Sequence, residues 1–195
     1  MSIPLILIIM VIAAIGYVIS VYNNLQTIKT RIRASIQEIG NQLKRQADLI
    51  PNLAESAKTY LAHEKTIFQQ LTEARKTVEA AIQSGSTQKM VDAQEILGKV
   101  LGRINVIVES NPQIKASEVI NKLMGELRDT ADKVMYARRT LIDLTADFNR
   151  ILAVFPSKIV ANIFSFKPEE GIKVAGAGEH LEVKKEDLET PKVNL

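Results

Sequence analysis

The sequence contains no cysteine and no tryptophan, and only two of its 195 residues are histidine. The absence of cysteine excludes structural disulfides, a lipid-modified cysteine anchor and a cysteine nucleophile. The position four residues after His63 is Ile67, whereas a helical zinc-peptidase motif requires a second histidine there. His180 stands alone among acidic residues, and glycine-rich phosphate loops are missing. We therefore predict that the protein is not an enzyme and uses no metal, cofactor or small-molecule substrate.

Charged side chains are absent from the first 28 residues, and the run from Ile3 to Tyr22 is almost wholly apolar. About 20 residues rising roughly 1.5 Å each cover about 30 Å, the thickness of the hydrocarbon core of a bilayer. A cleaved secretory signal would need basic residues before a shorter apolar run, followed by a small-x-small cleavage site. Ser20-Val21-Tyr22 is a poor site of that kind. Residues 1–22 are thus predicted to be an uncleaved, single-pass transmembrane anchor.

Basic residues follow this run and none precedes it. The positive-inside rule therefore predicts that the N-terminus lies outside and the rest in the cytoplasm, on the cell (inner) membrane or a membrane derived from it. Three of these residues are candidates for contacts with anionic lipid headgroups, each worth about 1 kcal/mol: Lys29, Arg31 and Arg33. A formal net charge of +3 is too small to indicate nucleic-acid binding.

The remainder of the chain reads as long helices separated by clear breaks. An apolar stripe from Leu25 to Leu43 predicts that the first helix continues out of the membrane. Pro51 predicts that this helix stops near Asp48 and that a second begins at the proline. Ser84-Gly85-Ser86 ends the second helix, and the third is predicted from about Thr87 to Glu109, before Asn111-Pro112.

The fourth helix carries the strongest periodicity. Ser117 is a suitable N-cap, and an apolar residue recurs every seven positions from Ile120 to Phe155, with Thr130 as the polar exception in the companion series. Short connections make neighbouring helices antiparallel. The fold class is therefore predicted to be all-α: an N-terminal transmembrane helix continuing into an antiparallel up-down bundle of about four long helices over residues 23–166, packed in coiled-coil fashion.

Residues 167–195 have scattered charge and no sustained apolar stripe, which predicts a solvated, flexible tail or an arm that becomes ordered on a partner. Glu64 occupies an apolar stripe of the second helix. A buried carboxylate needs a cation or several donors, so Glu64 is predicted either to pair with Arg138, with Arg45 as an alternative, or to reach water at the bundle edge.

The sequence resembles the LemA family of bacterial single-span membrane proteins. The similar segments include QLKR at 42–45 with DLIPNL at 48–53, Ala137-Arg138-Arg139, and Phe155-Pro156-Ser157. The family usually has a tryptophan at Ile36, an aspartate near Gly40 and a Tyr-Asn pair at Leu141-Ile142, and the last two departures remove polar groups, so a site built on them is not expected here. The resemblance implies a small external N-terminus, one span and a four-helix-like cytoplasmic domain. Some members are associated with the magnetosome membrane, which implies a structural or recruiting role.

These observations favour a membrane-anchored helical scaffold that binds a membrane-protein partner or further copies of itself, as a homo-oligomer, at the lipid bilayer. Two other functions fit the same sequence. One is a membrane-shaping module that binds anionic lipid through the basic stretch from Lys29 to Arg45. The other is an accessory subunit of a membrane enzyme.

Overall fold

The structure is a computed structural model that describes residues 3–58, 60 and 65–173. Within these ranges it is all-α, with six helices and no strand, which confirms the predicted fold class. The helices are α1 (Ile3–Ala57), α2 (Lys65–Gln83), α3 (Thr87–Ser110), α4 (Pro112–Lys115), α5 (Glu118–Ala153) and α6 (Ser157–Ile163).

The prediction that the first helix ends near Asp48 is wrong. Helix α1 passes through Pro51 and ends only at Ala57. The proline ring is on the exposed side of the helix, while the core stripe continues past it with Ile50 and Leu53 buried. Proline inside a helix costs about 3 kcal/mol through one lost hydrogen bond and a steric clash. Burying two large aliphatic side chains contributes about 1.5–3 kcal/mol each, so tertiary packing outweighs the local penalty.

Helices α1 and α5 form the long axis of the bundle and run antiparallel. Near one end, the Gln46 Nε2 of α1 donates to the Leu127 carbonyl of α5 at 3.2 Å, and Gln46 is fully buried. Near the other end, Tyr22 and Phe148 both contact the ring of Phe166. Helix α3 is antiparallel to α5, since Arg138 contacts Glu95 and Arg128 contacts Asn105. It is therefore parallel to α1.

Helices α2 and α3 form a hairpin that covers only part of this axis. Its turn contains Gly85, whose φ of 66° lies in the left-handed region that glycine adopts without strain. Ser86 then caps α3 by accepting a hydrogen bond from the Lys89 amide. Met90 in the first turn of α3 packs beside Gly40 of α1: a Cβ added to Gly40 would lie 3.8 Å from the Met90 sulfur. The start of α3 is therefore level with Gly40. The half of the bundle nearer the apolar segment is therefore left to other elements.

Helix α6 and the residues after it cover this half. The nine residues 165–173, which we call the strap, run without helix along the groove between α1 and α5. The strap lies beside Tyr22 at Phe166 and meets Gln88 of α3 at Lys173. From Phe166 to Lys173 the chain advances by seven residues, which span about 23 Å when extended. This is the length of about 15 helical residues of α1. The strap thus reaches from the apolar segment to the α2–α3 hairpin and completes the core.

The heptad positions of α5 form the centre of the core, as predicted. Ile120, Leu127, Val134, Leu141 and Phe148 are each at most 4% exposed. The predicted polar exception, Thr130, is fully buried and donates its hydroxyl to the carbonyls of Glu126 and Leu127. The last heptad position, Phe155, is instead 81% exposed. It lies beyond the end of α5 at Ala153, in the turn that leads to α6.

Candidate functional site

The first surface of interest is the apolar segment of α1. Every residue from Ile3 to Tyr17 is exposed, and partial burial begins at Val18. Among the described residues, α1 is the one helix long and apolar enough to cross a membrane. The same helix becomes the central element of the bundle, where Leu25, Ile39 and Leu43 are fully buried. The apolar segment and the bundle are thus joined by unbroken helix, with no linker between them.

The predicted headgroup contacts lie at different heights above the segment. Lys29, Arg31 and Arg33 are about 10, 13 and 16 Å beyond Tyr22 along the helix axis. The headgroup layer is about 5–7 Å thick, so Lys29 is nearest to it and Arg33 is farthest. The Lys29 Nζ also lies 3.7 Å from a carboxylate oxygen of Glu169 in the strap, at partial exposure. Arg31 and Arg33 are exposed.

The proposed buried pair of Glu64 with Arg138 is not tested, since Glu64 lies outside the described residues. Both candidate cations have other partners. Arg138 Nη1 lies 3.3 Å from Glu95 of α3, and Arg45 Nη2 lies 3.7 Å from Glu126 of α5. All four side chains reach solvent, so each pair contributes at most about 1 kcal/mol. These pairs fix which helix faces meet more than they stabilise the fold.

The strap is held by two side-chain amides, a feature that the sequence analysis did not detect. Asn149 of α5 donates to the Glu169 carbonyl at 2.9 Å and accepts from the Glu169 amide at 3.0 Å. Gln88 of α3 pairs with Lys173 in the same way, at 3.3 and 2.9 Å. Each amide satisfies both backbone groups of one extended residue, as a neighbouring β-strand would. Residues 167–173 of the predicted tail therefore lie on the bundle, while 174–195 are outside the described residues.

We expect Asn149→Leu to release the strap. The change removes two hydrogen bonds at similar side-chain volume, which is worth about 1–3 kcal/mol in total. Amide hydrogen exchange of residues 167–173 should therefore accelerate, and the cleavage of this segment by protease with it. Asn149→Asp, which keeps the acceptor but places a carboxylate oxygen against the Glu169 carbonyl oxygen, should also accelerate exchange. Unchanged exchange in the leucine variant would mean that the amide does not hold the strap.

A cleft of about 280 Å³ lies where the strap meets the α2–α3 turn. Its apolar walls include Ile32, Ile36 and Leu141, and the start of α3 adds Ser86 and Thr87. Its acidic groups are Glu169 and Glu170 of the strap. Glu169 is already bound to Lys29 and, through its backbone, to Asn149. The cleft therefore presents the Glu170 carboxylate together with the hydroxyls of Ser86 and Thr87, and the Ser86 hydroxyl already accepts a hydrogen bond from the Lys89 amide.

The described residues contain no cluster of three or more histidine, aspartate, glutamate or cysteine side chains that could hold a metal ion. His63 and His180 are both outside these residues. Five of the eight ion pairs among the described residues join side chains three or four positions apart, for example Asp129 with Lys133 at 2.7 Å and Glu79 with Arg75 at 2.9 Å. Such pairs are typical of a solvated helix surface.

The outer face of α5 carries apolar side chains in water. Met135 and Tyr136 are 64% and 76% exposed, and Ile142, one heptad after Met135, is 38% exposed. Arg139 lies between them and is exposed. Methionine, tyrosine and arginine are enriched where proteins bind one another. This set, which we call the α5 outer face, is the candidate surface for protein contacts.

Comparison with known proteins identifies the relatives of this chain. The model of the LemA family matches residues 35–185, which include α1 from residue 35 onward, helices α2 to α6 and the strap. The magnetosome protein MamQ of Magnetospirillum gryphiswaldense is 24% identical over 181 aligned positions, which cover 81% of this chain. The match covers 66% of MamQ, just under two thirds of its length. The chain is a membrane-associated, all-α protein, and it belongs to the LemA family.

Proposed function

We propose that the protein is a membrane-anchored helical scaffold that acts through protein–protein contacts. The observation that carries this proposal is the continuity of α1, which is fully exposed and apolar over residues 3–17 and then forms the buried axis of the bundle. A helix without a hinge transmits the orientation of the membrane segment to the bundle. The bundle is then held at a defined height and direction above the bilayer.

Anchoring in a plane raises the effective concentration of the bundle, so that weak lateral contacts are enough for assembly. The basic residues that follow the segment favour a short N-terminus outside and the bundle in the cytoplasm. The likeness to a protein named for the magnetosome supports a role in organising a membrane surface. We propose no catalytic step: the carboxylates of the cleft beside the strap are paired or solvated, and the Ser86 hydroxyl beside them is engaged as the cap of α3.

The α5 outer face is the surface that we propose for these contacts. It projects sideways from the middle of the bundle axis, since Tyr136 lies opposite the part of α1 about 15 residues beyond Tyr22. That position is about 22 Å beyond Tyr22 along the helix axis. Neighbouring anchored copies would meet at the same height, so one face can serve both self-assembly and recruitment of another membrane protein.

A photo-reactive amino acid at Tyr136, in the full chain in native membranes, tests the proposal. The matched control is Lys76 of α2, whose side chain is 66% exposed. We expect a crosslink from position 136 and none from position 76. A product of twice the chain mass indicates self-assembly, and another mass, identified by mass spectrometry, indicates a recruited partner. If position 136 gives no more product than position 76, the proposed face is wrong.

A lipid-binding module is the second candidate, favoured by the exposure of Arg31 and Arg33, about 13 and 16 Å beyond Tyr22 along the helix axis. It predicts that the bundle binds anionic vesicles and that added salt weakens this binding, because exposed charges are screened over about 8 Å at physiological ionic strength. Binding that is indifferent to anionic lipid would exclude it. An accessory subunit of a membrane enzyme remains the third candidate, and partner identification from the crosslink separates it from self-assembly.

A further inference from the structure

The exposed apolar side chains of the bundle are concentrated in one short stretch. Among the described residues beyond the apolar segment, twelve large hydrophobic side chains are exposed, and five of them lie within the eleven residues 154–164. They are Val154, Phe155, Ile159, Ile163 and Phe164. Single exposed hydrophobic residues are common on soluble proteins, but a cluster of this kind indicates a surface that is covered in use.

The fold places this stretch beside the end of the apolar segment. The rings of Phe164 and Tyr22 are 4.8 Å apart, and Phe166 lies 5.8 Å from Tyr22 on the same side. Helix α6 packs on α1, and partial burial of α1 begins at Val18, before the apolar run ends. The end of the bundle therefore overlaps the last turn of the segment that fits the membrane.

The cluster is held rigidly in this position. Ser157 at the start of α6 donates its hydroxyl to the Ile151 carbonyl at 2.7 Å and to the Val154 carbonyl at 3.0 Å. Val160 and Ala161 are buried against the bundle, while Ile159 and Ile163, four residues apart, are exposed together on the opposite face. Helix α6 thus carries apolar side chains on two faces: one is buried in the bundle, and the other has no protein partner within the described residues.

We propose that the surface formed by Phe155, Ile159, Ile163 and Phe164 inserts into the interfacial layer of the same bilayer that the α1 segment crosses. If the hydrocarbon core ends at Tyr22, the level of Val18 is about 6 Å inside it, within the roughly 5–10 Å depth at which amphipathic helices lie. Lys158 on the exposed side of α6 can extend to the headgroups while its aliphatic part stays in contact with lipid. The inference rests on the proposed anchor, because α1 sets this height.

Insertion would give the bundle a second attachment to the membrane. A single helix allows rotation about its own axis and a range of tilts, whereas a helix with an apolar platform at its side has one preferred rotation. The α5 outer face would then point in a fixed direction along the membrane plane. Lipid is the covering that continuity with α1 favours, and a protein covering is an outcome of the test below.

The absence of cysteine allows single-site labelling of the full chain. Fluorescent labels at Phe155→Cys and Ile163→Cys are compared in vesicles of neutral and anionic phospholipid with labels at Val11→Cys and Val106→Cys. Ile163 and Val106 are matched in exposure, at 67% and 65%. Val106, however, lies on α3 about 50 Å from the membrane end of the bundle. Quenching by spin-labelled lipid reports contact with acyl chains, and quenching by iodide reports contact with water.

We expect positions 155, 163 and 11 to be quenched by lipid and protected several-fold from iodide, with position 106 showing the reverse. If 155 and 163 behave like 106 while 11 is in lipid, the insertion is overturned and the anchor stands. If 11 is also in water, the proposed anchor itself fails. If 155 and 163 are shielded from both quenchers, a protein covers the surface and the lipid contact is overturned. Adding Ile159→Asp should reduce lipid quenching at 155, and no reduction would count against insertion as a unit.

Discussion

Replacing Ile9 and Ile12 with arginine is expected to abolish stable membrane integration. Both side chains lie near the middle of the apolar segment and are exposed, at 49% and 64%. Each change exchanges a contribution of about −0.5 kcal/mol for one of about +3 kcal/mol in membrane insertion, so the pair opposes insertion by about 7 kcal/mol. The protein should move from the carbonate-resistant membrane pellet to the soluble or carbonate-released fraction.

The control adds the same two charges to the bundle. Val106→Arg with Val119→Arg places arginines at positions that are 65% and 59% exposed, where the side chains enter water at little cost. This variant should remain in the pellet after the carbonate wash. The wash also removes protein that is held only at the surface, so the contact proposed for α6 does not obscure the result. Retention of the first variant in the pellet would contradict the assignment of residues 3–22 as the anchor.

Phe148→Ala is expected to produce the largest loss of stability in the bundle. Phe148 is fully buried between α1 and α5, and its ring lies edge-on to Phe166 of the strap at a centroid distance of 6.3 Å. Truncating a buried phenylalanine to alanine costs about 3–5 kcal/mol through lost burial and the cavity that remains. That is a large part of the 5–15 kcal/mol by which proteins of this kind are usually stable. Urea unfolding of the full chain in mild detergent, followed by circular dichroism, measures the change.

Tyr136→Ala serves as the matched control, since it truncates an aromatic residue of the same helix that is 76% exposed. Its effect on the free energy of unfolding should stay within about 0.5 kcal/mol. The phenylalanine variant should also loosen the strap, because Phe166 loses its contact and the neighbouring Asn149 holds Glu169. Equal effects of the two truncations would show that Phe148 is not in the core as described.

The local pattern of α5 predicted its structure well because the information lies within the helix. The seven-residue spacing from Ile120 to Phe148 places each of these side chains on one face, and all are buried. Ser117 caps the helix as expected, accepting a hydrogen bond from the Ile120 amide. Phe155 continued the same spacing in sequence but is exposed, because the helix ends before it. Periodicity predicts burial only while the helix that carries it continues.

The end of α1 and the placement of the strap depended on contacts between distant parts of the chain. Pro51 is a strong local signal for a break, but Ile50 and Leu53 are buried by other elements, and that burial keeps the helix intact. Residues 167–173 are polar and lack periodicity, so they read as tail. Asn149 and Gln88 supply the hydrogen bonds that hold them, and nothing near residue 170 in the sequence indicates those partners.

The sequence by itself determined that the chain has one uncharged apolar segment, helices with apolar stripes and a core along α5, because hydrophobic periodicity and helix caps are local properties. Only the tertiary structure decided that α1 continues through its proline, that the strap completes the half of the bundle that α2 and α3 leave open, and that α6 lies level with the end of the apolar segment. These features depend on burial and hydrogen bonds between residues as much as 85 positions apart, which local spacing does not encode.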